Sequence, residues 1–144
     1  MNIAIGADHA GFLLKEEIRV YLSANGYSVI DFGTSSIEAV DYPEFGHKVA
    51  LSVQKGESDW GFTICGTGNG ISMTANKYPQ IRSAVCWKKE IAVLAREHND
   101  ANVCALPARF ISKEEAIEIV YAFLHTKFEG GRHERRINKI PIDL

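Results

Sequence analysis

An α/β fold, with a five-stranded parallel sheet and helices on both of its faces, is what this sequence predicts. Two observations carry that expectation. Short apolar runs alternate with helical patterns five times between the first residue and the last thirty. Such alternation implies right-handed crossovers, which make the strands parallel and place helices on both faces. The second observation is size: 144 residues, 46% apolar and 24% charged, fit one core and a single domain over residues 1–144.

The first strand is read at Asn2–Gly6, a short apolar run ending in glycine. A helix follows, with Leu14, Ile18, Tyr21 and Leu22 on one face at i, i+4, i+7, i+8. Asn25-Gly26 stops it, since both residues tolerate the left-handed conformation that ends helices. Tyr27–Phe32 reads as the second strand, and Pro43 marks the start of a second helix running towards Lys55. The third strand, Asp59–Cys65, leads at once into Gly66-Thr67-Gly68-Asn69-Gly70 and a helix to about Lys77. Arg82–Cys86 is the fourth strand. The fourth helix, Lys88–His98, carries Ile91, Leu94, Ala95 and His98 on one side. Asn102–Leu106 is the fifth strand, and Ser112 with Glu115 three residues on has the spacing of a capping box. The last helix presents Ala116, Ile119, Val120 and Phe123 as its apolar face.

Composition narrows the functional classes. A net charge of −2 gives no general attraction to nucleic acid or acidic membrane. No apolar run approaches the roughly 20 residues of a membrane span, and the start MNIAIGADHAG lacks the pattern of a signal peptide. The three cysteines, Cys65, Cys86 and Cys104, include no Cys-x-x-Cys pair, so free thiols in a reducing cytoplasm are expected. Cys86 and Cys104 lie in apolar runs, where cysteine is usually a small core residue. No His/Asp/Glu cluster has metal-ligand spacing, so neither metal nor cofactor is expected.

In open parallel sheets, ligands bind past the carboxyl ends of the strands, where connections diverge. Two such loops carry unusual residues. After the third strand, three glycines in five positions admit close approach of a ligand. The helix that begins there turns unpaired N–H groups towards any anion, and its field favours thiolate over thiol at Cys65. The plainer alternative is a tight turn with an incidental cysteine. Three rival glycine-loop chemistries fail on residue type. A Walker loop needs Lys-Ser/Thr where Ile71-Ser72 stand, and a dinucleotide fingerprint needs G-x-G-x-x-G after the first strand. A cysteine phosphatase needs arginine at position 71.

After the first strand comes Gly6-Ala7-Asp8-His9-Ala10-Gly11. Asp8 stands where a helix N-cap would, which is its plainer role; His9 beside it can donate to a phosphate or sugar oxygen. His98 can be a core residue at a helix end, or a group suited to proton transfer near neutrality. In the tail, Arg132 and Arg136 share a helical face and can clamp a phosphate, or simply form a solvated surface. Arg109 is a third candidate for phosphate. His47 and His125 lack reactive neighbours and receive no role.

Together these stretches resemble the ribose-5-phosphate isomerase B family, which also contains allose- and galactose-6-phosphate isomerases. The motifs are Gly6–Gly11, Cys65–Gly70, Glu97-His98-Asn99 and Gly130-Gly131-Arg132, with no departure at a matched position. The resemblance implies a Rossmann-like three-layer α/β/α sandwich and a homodimer whose active sites draw on both subunits, with a tetramer left open. It implies that Asp8, His9, Gly66, Thr67, Gly68, Asn69, Gly70, Asn99, Arg109, Arg132 and Arg136 bind a sugar phosphate. The family uses as base either a cysteine after the third strand or a glutamate in the next helix. With Cys65 present, and Ala75 and Asn76 in that helix, this chain resembles the cysteine branch.

The chemistry expected is aldose–ketose isomerisation of ribose 5-phosphate and ribulose 5-phosphate without a cofactor. Cys65 would be the base, Thr67 would move a proton between oxygens, and His98 with Asp8 would open the ring. N–H groups from Gly66 through Gly70 would hold the enediolate. The competing expectations are a hexose-6-phosphate isomerase of the same family, a phosphate-ligand binding domain without catalysis, and a redox regulator built on Cys65. Tyr42, Leu106 and Pro107 are placed at the pocket boundary, with no sugar preference legible from them.

Overall fold

The computed structural model describes residues 1–144. Its strands are β1 (Asn2–Ala7), β2 (Ser28–Asp31), β3 (Trp60–Cys65), β4 (Ser83–Val85) and β5 (Val103–Pro107). Its helices are α1 (Phe12–Ala24), α2 (Tyr42–Gln54), α3 (Asn69–Ala75), α4 (Lys89–Asn99), α5 (Lys113–His125) and α6 (Arg132–Ile137). All strand pairs are parallel, in the order β2-β1-β3-β5-β4. The central strands β1, β3 and β5 are covered on both faces, which is why they read as unbroken apolar runs rather than alternating ones. α1, α4 and α5 cover one face, α2 and α3 the other, giving the expected three-layer α/β/α sandwich.

Local signals set most boundaries. Pro43 sits in the first turn of α2, where its missing N–H has no helical partner to lose. At α5, Ser112 Oγ accepts from Glu115 N–H at 3.1 Å and Glu115 Oε1 accepts from Ser112 N–H at 3.0 Å, the reciprocal box expected.

Three expectations change. α3 ends at Ala75, two residues before Lys77. Asp8 is not the N-cap of α1; Gly11 is, and Asp8 Oδ1 accepts the Gly11 N–H at 3.1 Å in the turn ahead of the helix. On α4, Leu94 is 42% exposed while Ala92, Ala95 and Arg96 are buried. The inward face is rotated because the Arg96 guanidinium lies 4.2 Å over the Trp60 ring and donates to the Ala101 and Thr126 carbonyls. Long-range stacking thereby outweighs the hydropathy of a single leucine.

Because the chain steps from β1 outward to β2 and then back across β1 to β3, the connections diverge between β1 and β3. That divergence opens a crevice at their carboxyl ends.

Candidate active site

At that crevice Ala7 pairs with Ile64, so Asp8 and Cys65 leave adjacent strand ends side by side. Cys65 is buried, and its Sγ accepts the Gly68 N–H at 3.2 Å. Gly68 reaches this position with φ +76°, a left-handed conformation that strains any other residue, and a Cβ there would press on Val85 and Leu106. The Thr67 hydroxyl accepts the Asn69 N–H at 3.2 Å and keeps its own proton free to donate. Two of the five N–H groups expected to face a ligand are therefore spent inside the loop. Those of Gly66, Thr67 and Gly70 have no protein acceptor and remain open.

Neighbouring side chains close the rim. Arg109 lies over Gly66, where a Cβ would sit 3.2 Å from its guanidinium, and Tyr42 lies over Gly70, where a Cβ would sit 2.5 Å from its ring. Tyr42 and Arg109 therefore both lie against the glycine loop. His9 is fixed from the opposite side, with Nδ1 3.2 Å from both the N–H and the carbonyl of Val40. In the tautomer that accepts the Val40 N–H, Nε2 carries the proton and is the donor available to an anion.

The remaining candidates are elsewhere. α4 begins beside the carboxyl ends of the strands and runs back against them, so His98 and Asn99 arrive at the amino edge of the sheet. Arg82, just before β4, marks that edge: its Nε donates to the Asn99 carbonyl at 2.8 Å. α6 packs on α4 at the same end, with His133 and Ile137 turned inward and Arg132 and Arg136 exposed on its outer side. A helix of 11 residues such as α4 is roughly 16 Å long. Within one chain, His98, Asn99, Arg132 and Arg136 therefore stand a sheet's height away from Cys65, Asp8, His9 and Arg109. The fold gathers these residues into two candidate half-sites, one at each edge.

One group escaped linear reading. A nitrogen each from His98 and His133 and a carboxylate oxygen of Glu129 lie within 4.8 Å of one another, although the residues span positions 98 to 133. The two imidazoles stack face to face, centroids 4.2 Å apart and planes 12° off parallel. Stacked rings aim their lone pairs side by side, so no single ion position suits both without turning a ring. Burial above all, then the proximity of His98 and Arg132, holds the His133 pKa below the usual histidine value, so its neutral form is favoured. The sequence signal for His133 was its i, i+4 spacing to Ile137, on the stripe next to that of Arg132 and Arg136. Elsewhere, His47 bonds the Tyr78 hydroxyl and His125 the Tyr121 carbonyl, while Cys86 and Cys104 are core residues.

Residues 3–140 match the model of the family described as Ribose/Galactose Isomerase. Ribose-5-phosphate isomerase B of Escherichia coli is 50% identical over 139 residues, covering 96% of this chain and 93% of that one. Among solved structures, ribose-5-phosphate isomerase B of Clostridium thermocellum superposes with a TM-score of 0.96 at 54% identity, covering 97% of this chain and 95% of the other. The Mycoplasma genitalium enzyme, solved with bound ribulose-5-phosphate, gives 0.93 at 45% identity over 96% and 93% of the two chains. No helix here is long and apolar enough to cross a membrane.

Proposed function

This chain belongs to the ribose/galactose isomerase family and is a sugar-phosphate isomerase, and from that premise we propose that it interconverts ribose 5-phosphate and ribulose 5-phosphate through an enediolate. The observation that carries the reading is Cys65 Sγ, held by the Gly68 N–H beside the three open N–H groups of its loop. A base and an oxyanion site thus stand next to each other at the crevice. The Mycoplasma genitalium relative, solved with ribulose-5-phosphate, supports the pentose assignment.

Sugar phosphates rest mainly as closed rings, so ring opening comes first. His98, assisted by Asp8, gives a proton to the ring oxygen and takes one from the anomeric hydroxyl, leaving the C1 aldehyde. Cys65, as thiolate, removes the C2 proton. The electrons move to the C1 oxygen, and the resulting enediolate is held by the N–H groups of Gly66, Thr67 and Gly70. Each well-placed donor of this kind contributes about 3–4 kcal/mol to the transition state. Thr67 carries a proton from O2 to O1, and Cys65 returns its proton to C1, leaving the ketone at C2. His9 Nε2 and Arg109 bind phosphate and fix which carbons face Sγ. Gly68 and Asn69 shape the loop that presents these groups.

This chemistry needs both half-sites in one place. A two-fold dimer meets that need, because an isologous interface presents the amino edge of each copy to the carboxyl edge of the other. Arg132 and Arg136 of the partner subunit then complete the phosphate clamp, and two equivalent sites form per dimer. The single domain over 1–144 is the unit that pairs, and a cytoplasmic setting suits its free thiols.

Ribose 5-phosphate incubated with the protein in D2O and followed by NMR tests the reading. Ribulose 5-phosphate should appear, with deuterium at C2 of the aldose that returns. If ribose 5-phosphate stays inert while allose or galactose 6-phosphate reacts, the pentose assignment is wrong. Silence with all three would leave a binding domain.

A further inference from the structure

We propose that His133 is a positioning residue, which holds the His98 imidazole by face-to-face stacking in the orientation that opens the sugar ring. The inference rests on the isomerase reading above. His98 is on the last turn of α4, only half-buried, and nothing else on its own helix stacks against its ring. His133 is the opposite: 5% exposed, its backbone tied to the Gly130 carbonyl at 3.1 Å, its helix anchored by buried Ile137. The fixed ring therefore sets the plane of the free one, at 4.2 Å and 12°. With its plane set, His98 keeps its ring nitrogens in a plane nearly parallel to the His133 ring.

A packing role alone does not account for histidine at this position. Its Nε2 is buried without a hydrogen-bond acceptor; Glu129 Oε2 lies 3.3 Å away but off the hydrogen-bond direction. A buried polar atom left unpaired is a standing penalty that an aliphatic side chain such as leucine would avoid. What histidine adds is a flat, neutral π face. During ring opening His98 alternates between imidazole and imidazolium, and a neutral aromatic face accommodates the cation where a second cation would repel it. Of the two rings, His133 is the one that burial and neighbouring positive charge keep neutral.

The test separates ring opening from proton transfer. Ribulose 5-phosphate has no furanose form, so exchange of its C1 proton with D2O reads Cys65 chemistry alone. Turnover of ribose 5-phosphate, mostly furanose, reads both steps. His133→Ala should lower kcat on ribose 5-phosphate roughly 10–100-fold, the range that misplacing a reacting group costs, with KM and C1 exchange nearly unchanged. His133→Phe restores the flat face and should recover turnover to within about threefold of wild type. The His98 ring protons should lose their upfield ring-current shift in the first variant and keep it in the second. Retained exchange also shows that each variant is folded. Equal losses in turnover and exchange, full turnover in His133→Ala, or no recovery in His133→Phe would each overturn the assignment. Wild-type protein lacking both activities would instead overturn the isomerase reading itself.

Discussion

Two clusters of ionisable side chains in this molecule differ in whether their polar atoms are all paired. Near the start of α1, Lys15 is 1% exposed, yet its ammonium is held by Asp31 at 2.7 Å and Glu16 at 2.9 Å, with Arg19 bonding Glu16 at 2.6 Å. A hollow of about 290 Å³ opens above it, floored by charges that already have partners. At the amino edge, ring nitrogens of His98 and His133 and a Glu129 oxygen lie within 4.8 Å of one another, but a buried nitrogen has no acceptor and one ring is free at its edge. The Cys65 loop shares this second character, with three N–H groups unspent. A cluster that satisfies itself holds the fold, and one left partly unsatisfied is available to a substrate.

Mutations should therefore sort by cluster. The largest effect is expected at Cys65. Cys65→Ala should lower isomerisation by ~10²–10⁴-fold, the usual worth of a positioned base, while urea unfolding shifts by less than about 1 kcal/mol. An active Cys65→Ala enzyme would remove the thiol from the mechanism. His98→Asn comes next: ribose 5-phosphate turnover should fall about 10²-fold, with C1 exchange of ribulose 5-phosphate spared. Equal loss in both assays would place His98 in proton transfer and not in ring opening.

Lys15→Met should show the reverse signature. It removes the ammonium from Asp31 and Glu16, so unfolding free energy should drop by about 2–3 kcal/mol, below the full cost of breaking a buried pair because both carboxylates keep solvent and Glu16 keeps Arg19. Turnover per folded molecule should stay within about twofold. A large kcat defect in that variant would erase the distinction between the clusters.

The smallest effect sharpens it through pH. The hydrogen bond from Arg19, then that from Lys15, holds the Glu16 pKa at about 2, against an ordinary 4.5. A depressed carboxylate pKa stabilises the folded state above the unfolded value, and that contribution fades as pH falls from about 4.5 towards 2. Glu16→Gln should thus cost about 0.5–1 kcal/mol near neutrality, the exposed-pair range, since the side chain keeps 35% exposure. The gap between variant and wild type should close by pH 2; a gap that persists there would point to packing instead of charge.

Reading the chain in one dimension found the five strands, because apolar runs and helical periods are local and each crossover is short. It found Cys65 and its loop for the same reason, since three glycines beside a thiol are adjacent in sequence. It misjudged Leu94, because the stacking of Arg96 on Trp60, which turns the helix, joins residues 36 apart. It offered a helix cap as the plainer role of Asp8, whereas Gly11, three residues on, caps the helix against the end of β3, so close that a Cβ on Gly11 would lie 2.6 Å from the Ile64 carbonyl. It overlooked His133 and Glu129, which matter only through a neighbour on another helix.

Residue types and their local spacing were enough to specify an α/β sandwich, a thiol beside a glycine-rich loop and the family to which the chain belongs. The order of the strands, the spending of two loop N–H groups inside the loop, and the stacking of His98 on His133 came from the folded chain alone. So did the separation of the candidate residues into two groups at opposite edges of the sheet. The physical reason is range. Backbone propensity, capping and glycine freedom act within a few residues, whereas burial, stacking and hydrogen-bond satisfaction depend on which distant segments the crossovers bring together.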